Sequence, residues 1–205
     1  MEEQYLKKMK IINFLLKRFF DFTISLFLLV LLSPVLILLS FLIFLEIKEN
    51  PIFIQLRNGK NLKRFKIYKF KTMYKSEDGI NNFTQVGRSD ARITIIGKFL
   101  RRNSIDEIPQ LFNVLLGNMS LVGPRPHPIA LDKKFEKLIG NYNDRYKALP
   151  GITGLAQING YRGETDSIDK MRNRVLFDIK YVEISNFYID FKIIFKTFFV
   201  IFKGI

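Results

Sequence analysis

Two adjacent carboxylates, Asp106 and Glu107, open a stretch with helical spacing, and such a pair can do phosphoryl chemistry. One carboxylate can attack phosphorus, as in aspartyl-phosphate chemistry, while its neighbour holds Mg2+ and so lets one anion approach another. A helix N-terminus keeps a carboxylate ionised and offers backbone N–H groups to phosphate oxygens. The same residues admit a purely structural role. Ser104-Ile105-Asp106-Glu107 fits a capping box, with Ser104 as N-cap and Glu107 reaching back. Pro109 suits that cap poorly, because past the first turn it forfeits a bond to Ile105. With Asp106 as cap, Pro109 falls inside the first turn, where proline is tolerated. Local sequence leaves both roles open.

Arg125 stands between prolines in Gly123-Pro124-Arg125-Pro126, so its guanidinium leaves a stiff backbone and suits bidentate phosphate binding. An ordinary surface arginine in a Pro-rich turn is the alternative. Lys69, Arg101 and Arg102 are single basic residues for which a solvated face is the default. The PGITG run lacks the Gly-Lys-Ser/Thr ending of a phosphate loop, and no zinc-finger or RNA-recognition spacing occurs. The chain has no Cys and one histidine, His127, which excludes disulfides, thiolate nucleophiles and multi-histidine metal sites within one chain.

The elements that must position these residues follow from pattern. The 205 residues carry a net charge of +14 with 48% hydrophobic content, a balance suited to a polyanionic partner: nucleic acid, anionic membrane lipids or a phosphorylated substrate. Phe22 to Leu45 contains no charged residue, and its 24 residues would extend about 36 Å as a helix, enough to cross a bilayer core. Ser33-Pro34 interrupts it, freeing the Val30 carbonyl, which Ser33 is placed to satisfy. Basic residues flank both ends, so the positive-inside rule would put both in the cytoplasm, which a re-entrant helix satisfies; a Pro-kinked spanning helix is the default reading, and sequence physics alone leaves both open. Residues 187–205 place Lys192, Lys196 and Lys203 in one stripe among Phe and Ile, the pattern of an interfacial helix or of a core helix with snorkelling lysines.

Between these segments, residues 51–73 alternate around Asn58-Gly59 as a hairpin, and residues 77–90 are loop-like. Residues 95–102 form a short helix; Ile108, Leu111, Phe112 and Leu115 mark an amphipathic face that stops at Gly117-Asn118. Residues 150–164 are loop or short strand, and helical spacing returns over 167–181. The expected fold is α+β, mainly helical. Residues 1–48 supply a basic N-terminus and membrane helix, 49–186 a cytoplasmic catalytic domain and 187–205 an interfacial helix, all in one structural unit.

From about Lys17 to Lys196 the chain resembles the bacterial sugar transferase family, the monotopic phosphoglycosyl transferases. The resemblance rests on KRFFDFTISLFLLVLLSP, NPIFIQLRNG, FKIYKFKTM, DARITIIGKFLRRNSIDEIPQLFNVLLGNMSLVGPRP, PGITGLAQINGYRGETD and FDIKYVEISNFYIDFKII, in family order. It implies a re-entrant helix broken at Ser33-Pro34, an Asp106 nucleophile that captures the sugar-linked phosphate of a UDP-sugar and expels UMP, and transfer to a polyprenyl (undecaprenyl) phosphate. It further implies Mg2+ held by Glu107 beside Asp106, with Lys69, Arg101 and Arg125 near phosphates. Lys71 stands where the family has arginine. GYRGETD and HPIA resemble hexose-1-phosphate transferases of exopolysaccharide pathways in the bacterial inner membrane, with UDP-glucose favoured over UDP-galactose or an N-acetylated amino sugar. A non-enzymatic membrane-surface scaffold is the rival function; nucleic-acid binding rests on charge alone and is set aside. Oligomeric state is not encoded legibly, and a homodimer stays open.

Overall fold

The computed structural model describes residues 2–74, 90–163 and 167–202, so most of the expected 77–90 loop, the end of GYRGETD and Lys203 lie outside the described residues. The apolar N-terminal segment is helix α1, Glu2–Ile47, one element with Pro34 inside it. The carbonyl that Pro34 strands is satisfied as expected: Ser33 Oγ donates to Val30 O at 2.8 Å. A narrow strip of α1 is buried, chiefly Asp21, Ser25, Leu29 and Ile43, while Phe27, Val30, Leu31 and Ile37 face outward. Only 11% of its most apolar stretch is buried, so α1 is no core helix. Its outer face calls for lipid.

Strands β1 (Ile52–Asn58) and β2 (Arg64–Phe70) form the expected antiparallel hairpin, with Ile52 opposite Phe70 and Asn58 opposite Arg64. Phe65 and Ile67 point into the core. The other edge of β2 is closed by one buried side chain: Asn113 Oδ1 accepts from Tyr68 N at 3.0 Å and its Nδ2 donates to Lys66 O at 2.7 Å. That pair fastens the hairpin to helix α3 (Gln110–Leu115).

Helix α2 (Ile95–Asn103) is capped by Thr94, whose hydroxyl accepts from Gly97 N at 2.8 Å. Glu46, at the end of α1, accepts from the next two free donors, Ile95 N at 2.8 Å and Ile96 N at 3.3 Å. Ile43, Phe70 and Leu100 pack behind this junction. Helix α3 stops where expected, at Gly117, whose φ of +80° suits glycine. Its apolar face is divided, however. Leu111 and Val114 are buried, whereas Phe112 is 50% exposed and turns, with Leu115, toward α1.

Strands β3 (Ser120–Val122) and β4 (Gly151–Thr153) pair in parallel, and helices α4 (Ile129–Phe135), α5 (Leu155–Ile158), α6 (Ile168–Ile184) and α7 (Phe187–Phe202) complete a mainly helical fold with short β elements. A second core of Leu131, Phe135, Tyr142, Tyr146, Met171 and Val175 joins α4 to α6. Helix α7 buries Asp190 and Ile193 but exposes Tyr188, Phe191, Phe195 and Phe198 alongside Lys192 and Lys196. Lys17 on α1 donates to Asp190 at 2.6 Å, so the first and last helices are tied together.

Candidate active site

Helix α2 ends at Ser104 in the left-handed conformation, φ 57°, and the chain then makes a single 3-10 turn over Ile105–Glu107 before Pro109 starts α3. The capping box does not form. Ser104 makes no side-chain cap bond; its hydroxyl accepts from Arg162 instead. Glu107 turns away from the backbone because two cations meet it. Lys69 Nζ donates to Oε1 at 2.7 Å, while Arg125 donates through Nη2 to Oε1 at 2.5 Å and through Nη1 to Oε2 at 3.0 Å. Three bonds from two cations, two of them a guanidinium fork, outweigh the single backbone N–H a capping box would offer, and Ser104 N already donates to Arg101 O at 3.2 Å.

The neighbouring carboxylates therefore differ. Burial alone would raise the Glu107 pKa, but Arg125 and Lys69 outweigh it and hold the carboxyl well below the ordinary glutamate range. Glu107 is buried and ionised. Asp106 is half-buried and has no hydrogen bond or ion pair among the described residues. Burial, and then the charge of Glu107, push its pKa up, against Lys69, Arg125 and Arg101. Asp106 is the carboxylate with a free oxygen.

The backbone aims Arg125. Gly123 N donates to Thr153 O at 2.9 Å and Gly151 N to Pro124 O at 3.0 Å, an approach so close that a Cβ on either glycine would strike the facing main chain. Behind it, the fully buried Arg145 donates to the Arg125 carbonyl at 2.6 Å and grips Asp178 through Nε at 3.0 Å and Nη2 at 2.7 Å. His127 is 3% exposed, with Arg145 Nη1 at 2.6 Å from Nδ1 and Arg174 Nη1 at 3.3 Å from Nε2. Burial and these arginines hold its pKa well below the usual histidine value. It is a neutral strut. Arg174 also donates to Tyr161 O at 2.8 Å and Gly163 O at 2.6 Å, which carries Arg162 toward Ser104.

Of the residues singled out from sequence, Lys69, Glu107 and Arg125 meet directly beside Asp106. Arg101 acts on Asp106 through charge and touches Met73 Sδ at 3.6 Å. Lys71 lies elsewhere, paired with Glu49 at 2.8 Å. Ser33 lines an apolar hollow of about 700 Å³ between α1, the hairpin and α3, with Leu29, Ile37, Phe70, Pro109 and Phe112 among its walls. Pro109 places that hollow three residues from Asp106. Arg57 stood out only as one of the basic residues that follow the apolar segment, and Arg145, Arg162 and Arg174 were not singled out. The four lie in the stretches QLRNG, YNDRY, GYRG and MRNR, where nothing local separates a buried arginine from a solvated one.

No group of three or more His, Cys, Asp or Glu side chains suited to a metal occurs among the described residues. Mg2+ nonetheless takes only one or two carboxylates when phosphates and water complete its shell. Glu107 Oε2 receives a single hydrogen bond, from Arg125, and keeps acceptor capacity beside the free Asp106. The donor set fits that minimal demand.

The profile of the bacterial sugar transferase family matches residues 12–204. The chain belongs to the bacterial sugar transferase family. It is 44% identical over 193 residues to the UDP-glucose:undecaprenyl-phosphate glucose-1-phosphate transferase of Klebsiella pneumoniae, covering 94% of this chain and 41% of that protein. It is 43% identical over 188 residues to the exopolysaccharide production protein PSS of Rhizobium leguminosarum bv. phaseoli, covering 90% and 94%. A UDP-N-acetylgalactosamine-undecaprenyl-phosphate N-acetylgalactosaminephosphotransferase of Aeromonas hydrophila is 38% identical over 191 residues, covering 92% and 44%. The chain thus spans about two fifths of the Klebsiella relative's length, and nearly the whole of the Rhizobium one.

Proposed function

We propose that this sugar transferase moves glucose 1-phosphate from UDP-glucose to undecaprenyl phosphate and releases UMP, at the cytoplasmic face of a bacterial inner membrane. The split between Asp106 and Glu107 carries the reading: one carboxylate is free to attack while its neighbour is held ionised by Lys69 and Arg125. The sugar and acceptor follow the name of the Klebsiella relative, which outranks the N-acetylgalactosamine enzyme in identity.

In the first step an Asp106 oxygen attacks the β-phosphorus of the donor. The bond from that phosphorus to the bridging oxygen breaks, UMP leaves with the electron pair, and glucose 1-phosphate stays on Asp106 as an acyl phosphate. In the second, a phosphate oxygen of the polyprenyl acceptor attacks the same phosphorus and Asp106 departs as a carboxylate. Arg125, aimed by its rigid turn, and Arg101 face the phosphate oxygens. Glu107, with Asp106, would hold Mg2+, which when bound neutralises phosphate charge.

The apolar hollow beside Pro109 suits the isoprenoid chain. We also infer that α1 is re-entrant. Lys17 and Arg18 bond Val122 O, Met119 O and Val114 O at one end, and Glu46 caps α2 at the other. Those ends are 29 residues apart, about 44 Å along a straight helix. Both nevertheless hold the same globular body, which suits a helix that dips at Ser33-Pro34 and returns. Helix α7 then lies in the interface with its exposed aromatic residues in lipid.

The test is a panel of UDP-sugars with undecaprenyl phosphate and Mg2+. UMP from UDP-glucose supports the assignment; UDP as the nucleotide product, or no product from any sugar, refutes it.

A further inference from the structure

Around the acid pair most cations are spent. Lys69 and Arg125 serve Glu107, Arg145 serves Asp178, and Arg174 serves two backbone carbonyls. Arg57 differs. It stands near the end of β1, bridged through its backbone to Pro128, three residues past Arg125. It is 8% exposed, and its buried Nε has no hydrogen-bond partner. Its one side-chain bond runs from Nη2 to the neutral amide oxygen of Gln55 at 2.6 Å, and it enters no ion pair among the described residues. Asp132 cannot serve it fully, being held by Asn58 at 2.8 Å and Tyr142 at 2.7 Å.

Arginine is almost never buried unless paired, because an uncompensated charge away from water is costly. Nor does Arg57 escape by losing its proton. Burial, and then the charge of Arg125, lower its pKa to about 10, which leaves it charged at neutral pH. A lone guanidinium beside a second arginine is poor for folding and good for capturing an anion. Its fork of N–H donors matches phosphoryl oxygens.

We propose that Arg57 binds a phosphoryl oxygen of the reacting phosphates, acting with Arg125 as a two-arginine clamp beside Asp106. The proposal rests on the transferase reading for the identity of its ligand. Phosphoryl oxygens belong to both the donor diphosphate and the acceptor phosphate monoester, so the assay must separate them. The competing role is structural, in which Arg57 merely joins the hairpin to the Arg125 loop.

The full chain in nanodiscs, as wild type, Arg57→Gln and Arg57→Lys, decides between these roles. Thermal melting without ligand, calorimetric binding of pyrophosphate and of UDP, and separate KM values for UDP-glucose and undecaprenyl phosphate are measured. Arg57→Gln is expected to melt at or above the wild-type temperature, since it removes an unpaired buried charge. It should lose about tenfold to a hundredfold in phosphate affinity, the scale of a charge-assisted hydrogen bond, with Arg57→Lys between the two. Weaker UDP and pyrophosphate binding places the clamp on the donor. A raised acceptor KM with unchanged UDP binding places it on the acceptor phosphate. Unchanged affinities and KM values overturn the proposal, as does a lower melting temperature that Arg57→Lys does not restore. Absence of UMP release by the wild type would instead sink the transferase reading, while pyrophosphate binding would still report on Arg57.

Discussion

Arg125 grips both carboxylate oxygens of Glu107, at 2.5 and 3.0 Å, and leaves the adjoining Asp106 untouched. One short turn therefore holds two carboxyl groups in different surroundings, one paired with two cations and one unpaired. Glu107 is a fixed, ionised member of a buried cluster. Asp106 is half-buried and keeps its oxygens unbonded among the described residues.

Substitutions at the two positions should consequently fail in different ways. Asp106→Asn is expected to abolish UMP release while the melting temperature holds or rises, because the carboxylate it removes is disfavoured by its surroundings. Glu107→Gln strands Lys69 and Arg125 over a neutral amide, and breaking a buried pair costs about 3–5 kcal/mol. It should lower both the melting temperature and activity, and raise the Mg2+ concentration needed for half-maximal rate by roughly 10- to 100-fold. Melting curves and Mg2+ titrations of the two variants side by side check this.

His127 predicts an acid sensitivity. Its folded pKa lies well below the ordinary value near 6.5, so below that pH the unfolded chain takes up a proton that the folded chain refuses. Its contribution to stability is thus present above about pH 6.5 and declines as pH falls, by about 1.4 kcal/mol per unit, until the folded pKa is reached. His127→Asn keeps an acceptor toward Arg145 and cannot titrate. The difference between wild-type and variant melting temperatures should change across pH 7 to 5, and a constant difference would show that His127 is not the group responsible.

The apolar hollow makes a prediction confined to one substrate. Ile37 lines it yet is 69% exposed, so Ile37→Trp can fill space with little harm to the core. The KM for polyprenyl phosphate should rise about tenfold, equivalent to about 1.4 kcal/mol. Donor binding should be unchanged. Equal effects on donor and acceptor would place the lipid chain elsewhere.

For topology, the chain has no native cysteine, so single cysteines at Lys10 and Lys60 can be labelled cleanly. Both are expected to react only from the cytoplasmic side. Reaction from opposite sides would establish a spanning α1.

Much of the scaffold was legible because its signals are local. Asn58-Gly59 between alternating strands, the Ser33 hydroxyl bonded to the Val30 carbonyl that Pro34 strands, and Gly117 after α3 each act within a few residues, and each of these local features forms. The face containing Phe112 and Leu115 was legible only as apolar, since periodicity does not say whether core, lipid or a hollow lies opposite. The acid pair was ambiguous for a different reason. The partners of Glu107 are Lys69, 38 residues away, and Arg125, 18 residues away, neither of which a capping-box pattern can register. Arg57, Arg145 and Arg174 were illegible because a buried arginine and a solvated one have the same local sequence.

The most direct measurement is intact-protein and peptide mass spectrometry after rapid quenching with UDP-glucose, Mg2+ and no acceptor. The expected result is one added hexose phosphate on the peptide bearing Asp106, absent from Asp106→Asn and discharged by undecaprenyl phosphate. Added mass on another side chain, or product formed with no covalent species at any quench time, would contradict the account.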